Sequence, residues 1–166
     1  TESTVPGREQ KVTMGFADDW LNRRALFPEF ILEPPDDNTG IVVVIPAFDE
    51  PSVTPLLDSL NSCTLPECRT EVIFVVNAPE NASAKSLRNN TRCIENILNW
   101  KKNNNSLFRL YVFDAGQAPV KEWGVGLARK AGMDEALRRF SFIEKPDGAI
   151  VCLDADCRVE NNYFTA

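Results

Sequence analysis

The chain has 166 residues, 43% of them apolar and 25% charged, so it is long enough to bury a hydrophobic core without disulfides or a structural metal. Its 18 Lys and Arg residues against 24 Asp and Glu residues give a net charge of −6, which argues against non-specific binding to nucleic acid or an anionic membrane. The sequence contains no His, which excludes Ser-His-Asp and Cys-His catalysis and His-ligated zinc from this stretch. Carboxylates, amides, hydroxyls, Lys, Arg and Cys remain for chemistry.

The cysteines show no recognisable disulfide or metal-binding pattern. There are five of them, an odd number, and the two closest pairs are each separated by four residues, which matches no common zinc spacing. We therefore expect reduced thiols and a cytoplasmic protein. No apolar run approaches the ~20 residues that span a bilayer, so any membrane association would come from regions outside this stretch.

The first 40 residues differ from the rest and predict an N-terminal arm or linker. They contain a polar start, a short predicted helix over residues 18–26, and a Pro-Pro-Asp-Asp cluster before Gly40. Residues 41–166 are expected to form a single domain. The chain starts without Met and stops in what looks like the opening of another helix, so we expect a piece of a longer protein.

After Gly40, buried strands alternate with amphipathic helices. The predicted strands are residues 41–45, 72–76, 107–113 and 149–153, and the first should be central because it is β-branched throughout. The predicted apolar helix positions are Val53, Leu56, Leu57 and Leu60 after an N-cap at Ser52, then Leu87, Thr91, Ile94 and Leu98, then Val125, Ala128, Gly132, Ala136, Leu137 and Phe140. This order predicts a Rossmann-like α/β fold with a mostly parallel, doubly wound sheet and helices on both faces.

Polar side chains follow the predicted strands, where ligands bind in open α/β sheets. Asp49 and Glu50 follow the first strand, Asn77 the second, and Asp154 and Asp156 the fourth. Two carboxylates separated by one residue can hold a hard divalent cation and still leave coordination sites for phosphate oxygens, so Mg²⁺ or Mn²⁺ is the predicted metal. The alternative is that a strand exit simply tolerates acidic turn residues.

Three segments resemble, in order, the motifs of family 2 glycosyltransferases of the GT-A fold. They are residues 41–50 (IVVVIPAFDE), residues 124–132 (GVGLARKAG) and residues 150–156 (IVCLDAD). The resemblance implies an inverting, metal-dependent transferase that moves a sugar, of the hexose type, from a UDP- or GDP-sugar to an unknown acceptor. It also implies that the domain is incomplete, with the acceptor-binding part missing and the catalytic base located beyond Ala166.

The same resemblance assigns candidate site residues. It implies nucleotide contacts from Pro46, Ala47, Phe48, Asp49, Glu50, Asn77, Arg129 and Asp154, and metal ligation by Asp156 and Asp154. Asn77 replaces the family's Asp, so a preference for uridine does not follow. Lys130 replaces the usual Asn. Arg129 or Lys121 could supply a cation for the diphosphate, although Lys121 is better explained as a surface charge.

Two other functions remain open. Haloacid-dehalogenase-like phosphohydrolases also carry Asp-x-Asp after an apolar strand, but there the motif ends the first strand of the core. A non-catalytic nucleotide-binding module would fit the departure at Asn77. Gly124 and Gly126 lack the complete dinucleotide fingerprint and are expected to permit a tight helix entry. Trp123 could stack on a ligand, but we favour a core position for it, as for Cys152.

Overall fold

The alternation of β-branched strands with helices produces an all-parallel sheet. The computed structural model describes residues 15–166. Its strands are β1 (Thr39–Ala47), β2 (Arg69–Pro79), β3 (Arg109–Ala118) and β4 (Ala149–Cys152). Their order is β3-β2-β1-β4, and each neighbouring pair is parallel. The predicted Rossmann-like α/β class and the central position of β1 are confirmed.

Four helices connect and flank these strands. They are α1 (Asp18–Arg24), α2 (Thr54–Asn61), α3 (Ala84–Asn103) and α4 (Val125–Phe142). Within residues 15–166, none of them combines the length and the hydropathy that a bilayer-spanning helix needs.

Both faces of the sheet are covered, because successive side chains of a strand point to opposite sides. Val43 and Ile45 of β1 belong to the cluster that packs against α2 and α3. Val42 and Val44 belong to the cluster that packs against α4. Gly132 allows the close approach on that side, since a Cβ atom there would lie 2.3 Å from Val44 Cγ1. A residue without a side chain at position 132 therefore lets α4 pack closely on β1.

The predicted start of α2 was wrong. The helix begins at Thr54, its N-cap is Val53, and no side chain of the described residues caps it. Pro55 stands in the first turn, where proline sets the backbone angle in advance and has no N–H that needs a partner. A cap from Ser52 is therefore not required.

The buried face of α3 was also predicted one position away from where it lies. The side chains that α3 buries are those of Asn90, Cys93, Ile97 and Trp100. Leu98 is instead 52% exposed. Trp100 accounts for the rotation, because it stacks on Phe108 and donates a hydrogen bond from Nε1 to Asp58 Oδ1 of α2 at 2.8 Å. Val125, in the first turn of α4, is likewise exposed rather than packed on the sheet.

Two strands extend further toward the carboxyl edge than their apolar runs indicated. Asn77 pairs with Gly116, and Pro79 pairs with Ala118, so these polar segments lie inside β2 and β3. β4 is short, and among the described residues it pairs with β1 alone. Cys152, at its end, is exposed rather than packed, which corrects the core position expected for it.

The segment before β1 packs on the α4 side of the sheet. The backbone N–H of Ile31 donates to Glu135 of α4 at 3.0 Å, and Phe30 stacks on Phe113 of β3 with 3.9 Å between ring centroids. Arg139 of α4 forms a buried two-point ion pair with Glu71 of β2. Residues 1–14 of the predicted arm lie outside the described residues, and the boundary at residue 40 stays a prediction.

Candidate functional site

The carboxyl edge of the sheet carries a cavity of about 450 Å³. Its walls come from the ends of β1, β2 and β4 and from the entry to α4. The lining residues are Pro46, Ala47, Phe48, Glu50, Asn77, Trp123, Val125, Asp154, Ala155 and Asp156. The structure thus gathers most of the predicted site residues around one space, whereas Asp49 and Arg129 are not among the lining residues.

Asp49 holds the loop after β1 in place and does not line the cavity. Its φ is 58°, an uncommon backbone conformation for a residue other than glycine. Two amides of α3 stabilise it: Asn89 Nδ2 donates to Asp49 Oδ1 at 2.7 Å, and Asp49 N–H donates to Asn90 Oδ1 at 2.9 Å. The Asp49 carboxylate therefore acts on the site through its charge and through the shape of the loop.

Asn90 was missed in the sequence, although it ties two strands together. It is buried, and its Nδ2 donates to the carbonyl oxygen of Asn77 at 3.0 Å while its Oδ1 holds Asp49. Asn is unfavourable inside a helix, and burying its amide is costly unless it is hydrogen-bonded. The signal available in the sequence was a pair of adjacent asparagines, Asn89 and Asn90, in the middle of a helical segment.

Asn77 connects β2 to the entry of α4. Its side chain is almost fully buried, and Nδ2 donates to the carbonyl oxygen of Gly124 at 3.1 Å. Gly124 has φ 127°, which explains why glycine precedes the helix. Gly126 has no comparable constraint, since within the described residues a Cβ atom there would meet nothing within 4 Å. The tight helix entry therefore depends on Gly124.

Two aromatic rings form one wall of the cavity. Phe48 and Trp123 pack edge to face, with 4.7 Å between ring centroids and an interplanar angle of 65°. Trp123 is partly exposed at the cavity rather than enclosed in the core, so the core position favoured from the sequence was wrong. The face of either aromatic ring is an apolar surface on which a planar ring can pack.

Carboxylates form a second wall of the cavity. Burial raises the pKa of the Glu50 carboxyl, and the negative charges of Asp156 and Asp49 raise it further. Asp156 and Asp49 lie close enough to Glu50 for their charges to disfavour its ionised form, and a cation would relieve that repulsion. Asp154 and Asp156 both belong to this negative wall.

These carboxylates fit a hard divalent cation, but only as a partial ligand set. Carboxylate oxygens suit Mg²⁺ and Mn²⁺, which commonly take one or two of them and complete the shell with water and phosphate oxygens. Across residues 15–166, no group of three or more His, Cys, Asp or Glu side chains is arranged to hold a metal. Asp154 and Asp156 would therefore need ligands from water or from the bound molecule.

Arg129 reaches Asp154 from α4, outside the cavity wall. Its Nη2 lies 2.5 Å from Asp154 Oδ1, and both side chains are partly exposed. Its Nε is buried and has no hydrogen-bond partner among the described residues. Lys130, the next residue, instead pairs with Asp134 at 2.7 Å, and Lys121 is exposed in the turn before the helix.

A larger cavity of about 770 Å³ lies between the N-terminal segment and the end of α4. Its two arginines are already bound to carboxylates, Arg138 to Glu135 and Arg139 to Glu71. The arginines of that cavity are thus engaged in holding the fold together.

Comparisons of this chain with protein-family models, with curated proteins and with solved structures find no significant match.

Proposed function

We propose that this chain is the nucleotide-sugar-binding portion of a metal-dependent glycosyltransferase with a GT-A fold. The observation that supports the proposal is the single cavity that sets an aromatic wall, a buried amide and two closely spaced aspartates around one space. Its volume of about 450 Å³ falls within the range of small-molecule sites. The resemblance of residues 41–50, 124–132 and 150–156 to family 2 enzymes agrees with this arrangement.

Each wall has a distinct task in the proposal. Phe48 and Trp123 pack against the planar base. The side-chain Nδ2 of Asn77 is bound to Gly124, and its side-chain oxygen Oδ1 is offered as an acceptor. Asp154 and Asp156 hold the divalent cation through carboxylate oxygens. That cation, when bound, neutralises charge on the nucleoside diphosphate leaving group. The general base for the acceptor hydroxyl is expected beyond Ala166, so we propose donor binding without efficient transfer for this chain.

The ion pair between Arg129 and Asp154 favours a second candidate, a nucleotide-binding module that works without metal. An arginine that already neutralises Asp154 lowers the demand for a cation at that carboxylate. The two candidates differ in a simple way, because the module would bind nucleoside diphosphate equally well in EDTA and in Mn²⁺.

The test is a calorimetric titration of the folded chain with UDP and with GDP, in Mn²⁺ and in EDTA. We expect one of the nucleotides to bind in Mn²⁺ and to lose that affinity in EDTA. Asp154→Asn should weaken binding, whereas Asp147→Asn, which changes an exposed aspartate in the turn before β4, should not. A folded chain that binds neither nucleotide in Mn²⁺ would overturn the transferase proposal.

A further inference from the structure

Two of the arginine–carboxylate pairs of helix α4 differ in character. Arg139 and Glu71 are 3% and 0% exposed and are joined at two points. Arg129 and Asp154 are 38% and 56% exposed and are joined by Nη2 alone. Buried two-point pairs are fixed parts of a fold, whereas exposed single-point pairs are weak and exchange easily. The Arg129 pair is therefore suited to opening.

We propose that Arg129 is a displaceable counter-ion of Asp154: a divalent cation takes the carboxylate from Arg129, and the freed guanidinium then binds the diphosphate. This inference rests on the proposed function, because the diphosphate is the ligand of that function. It assigns Arg129 a diphosphate-binding role that depends on whether metal is present.

The two cations cannot share Asp154 without repulsion. Arg129 Nη2 already lies 2.5 Å from Asp154 Oδ1, so a divalent cation held by the same carboxylate would meet the positive charge of the guanidinium at close range. Negative charge from Asp156 and Glu50, which share the cavity with Asp154, draws the divalent cation inward. A divalent cation, which carries the larger charge, would therefore compete with Arg129 for Asp154.

Arg129 also retains donors for a second ligand. Its Nε is buried without a partner among residues 15–166, an arrangement that costs free energy while it lasts. Phosphate oxygens accept hydrogen bonds in the planar, two-point geometry that Nε and Nη2 provide together. Moving from Asp154 to a diphosphate would satisfy both nitrogens.

The experiment measures Mn²⁺ binding in the absence of nucleotide, from the electron paramagnetic resonance signal of free Mn²⁺. In Arg129→Met we expect Mn²⁺ to bind roughly threefold or more tightly than in the parent, because an ion pair no longer competes for Asp154. The same variant should bind UDP or GDP in Mn²⁺ more weakly. Arg129→Lys keeps the charge and should stay near the parent in Mn²⁺ affinity.

Two controls separate this effect from a general change in charge. Arg23→Met removes an arginine that also pairs with an aspartate, Asp19, but on the exposed surface of α1, and it should leave Mn²⁺ affinity unchanged. Asp154→Asn combined with Arg129→Met should abolish the gain in affinity. Circular dichroism checks folding, and Arg129→Gln replaces the Met variant if that one unfolds.

The outcomes distinguish this inference from the proposed function. Metal-dependent nucleotide binding by the parent together with equal Mn²⁺ affinity in parent and Arg129→Met overturns the role of Arg129 and leaves the function standing. Tighter Mn²⁺ binding by the variant with no nucleotide binding by the parent supports the displacement and overturns the diphosphate as its ligand. If neither protein binds Mn²⁺, the displacement mechanism is wrong.

Discussion

Among single residues, Asp156 carries the most direct prediction. It is exposed just past β4, so its loss should leave the fold intact. We expect Asp156→Ala to lower metal-dependent nucleotide affinity at least tenfold, which corresponds to about 1.4 kcal/mol, because it removes a charged oxygen ligand. In metal-free buffer its thermal stability should be unchanged or slightly higher, because Asp156 and Glu50 repel each other. Calorimetry checks the nucleotide affinity, and thermal melts check the stability. If Asp156→Ala binds nucleotide as the parent does, or if it unfolds, Asp156 is a structural residue and not a metal ligand.

The thiols differ in reactivity because burial changes their ionisation. Burial, with a smaller effect from Glu50, raises the pKa of Cys93 to about 11, so its reactive thiolate is scarce at neutral pH and becomes abundant only as the pH approaches that value. Cys152 is exposed. Iodoacetamide at pH 8 should therefore alkylate Cys152 well before Cys93, and peptide mass spectrometry can follow both sites. Equal rates in the folded protein would contradict the buried position of Cys93.

At this scale, the sequence identified the candidate carboxylates but not the residues that support them. Asp154 and Asp156 could be predicted because the end of a parallel strand fixes where they lie. Asn90 and Trp123 could not, because their roles depend on contacts between α3, β1 and the entry to α4. Those contacts form only after the elements have packed.

Among the elements, the packing of α4 on β1 gives a prediction with an internal control. A Cβ atom at Gly132 would lie 2.3 Å from Val44 Cγ1, whereas at Gly126 it would meet nothing within 4 Å among the described residues. Gly132→Ala should therefore destabilise the fold by about 1–3 kcal/mol through overpacking. Gly126→Ala should be neutral or stabilise it by up to about 1 kcal/mol. Urea unfolding compares the variants, and equal losses would rule out the close approach.

The elements show why hydrophobic pattern predicts strands better than helix faces. The run of residues 41–45 could belong only to a strand buried on both sides, and β1 is central. The face of α3 was misjudged because leucine spacing favoured Leu98, whereas the buried side chain is that of Trp100, which stacks on Phe108 and donates a hydrogen bond to Asp58. The extra length of β2 and β3 comes from their mutual pairing, which hydrophobicity does not report.

For the whole molecule, ligand binding should raise the free energy of unfolding. A ligand that binds only the folded state at 100 times its Kd raises the free energy of unfolding by about 2.7 kcal/mol. We therefore expect Mn²⁺ together with UDP or GDP to raise the melting temperature, and EDTA to reverse the increase. Asp147→Asn should respond as the parent does, and Asp156→Ala should respond far less. A shift that persists fully in EDTA would favour the metal-independent module.

The hydrogen bonds of Asn90 also have a thermodynamic consequence. They fix the backbone of Asp49 and the end of β2 at Asn77 before any ligand arrives, so that this wall is already ordered when binding begins. A preorganised site loses little conformational entropy on association. Asn90→Ala should thus leave the enthalpy of nucleotide binding near that of the parent and make the entropy less favourable, a division that calorimetry resolves. Part of the conformational entropy that ligand binding would otherwise lose is then already lost during folding, because Asn90 orders this wall without touching the ligand.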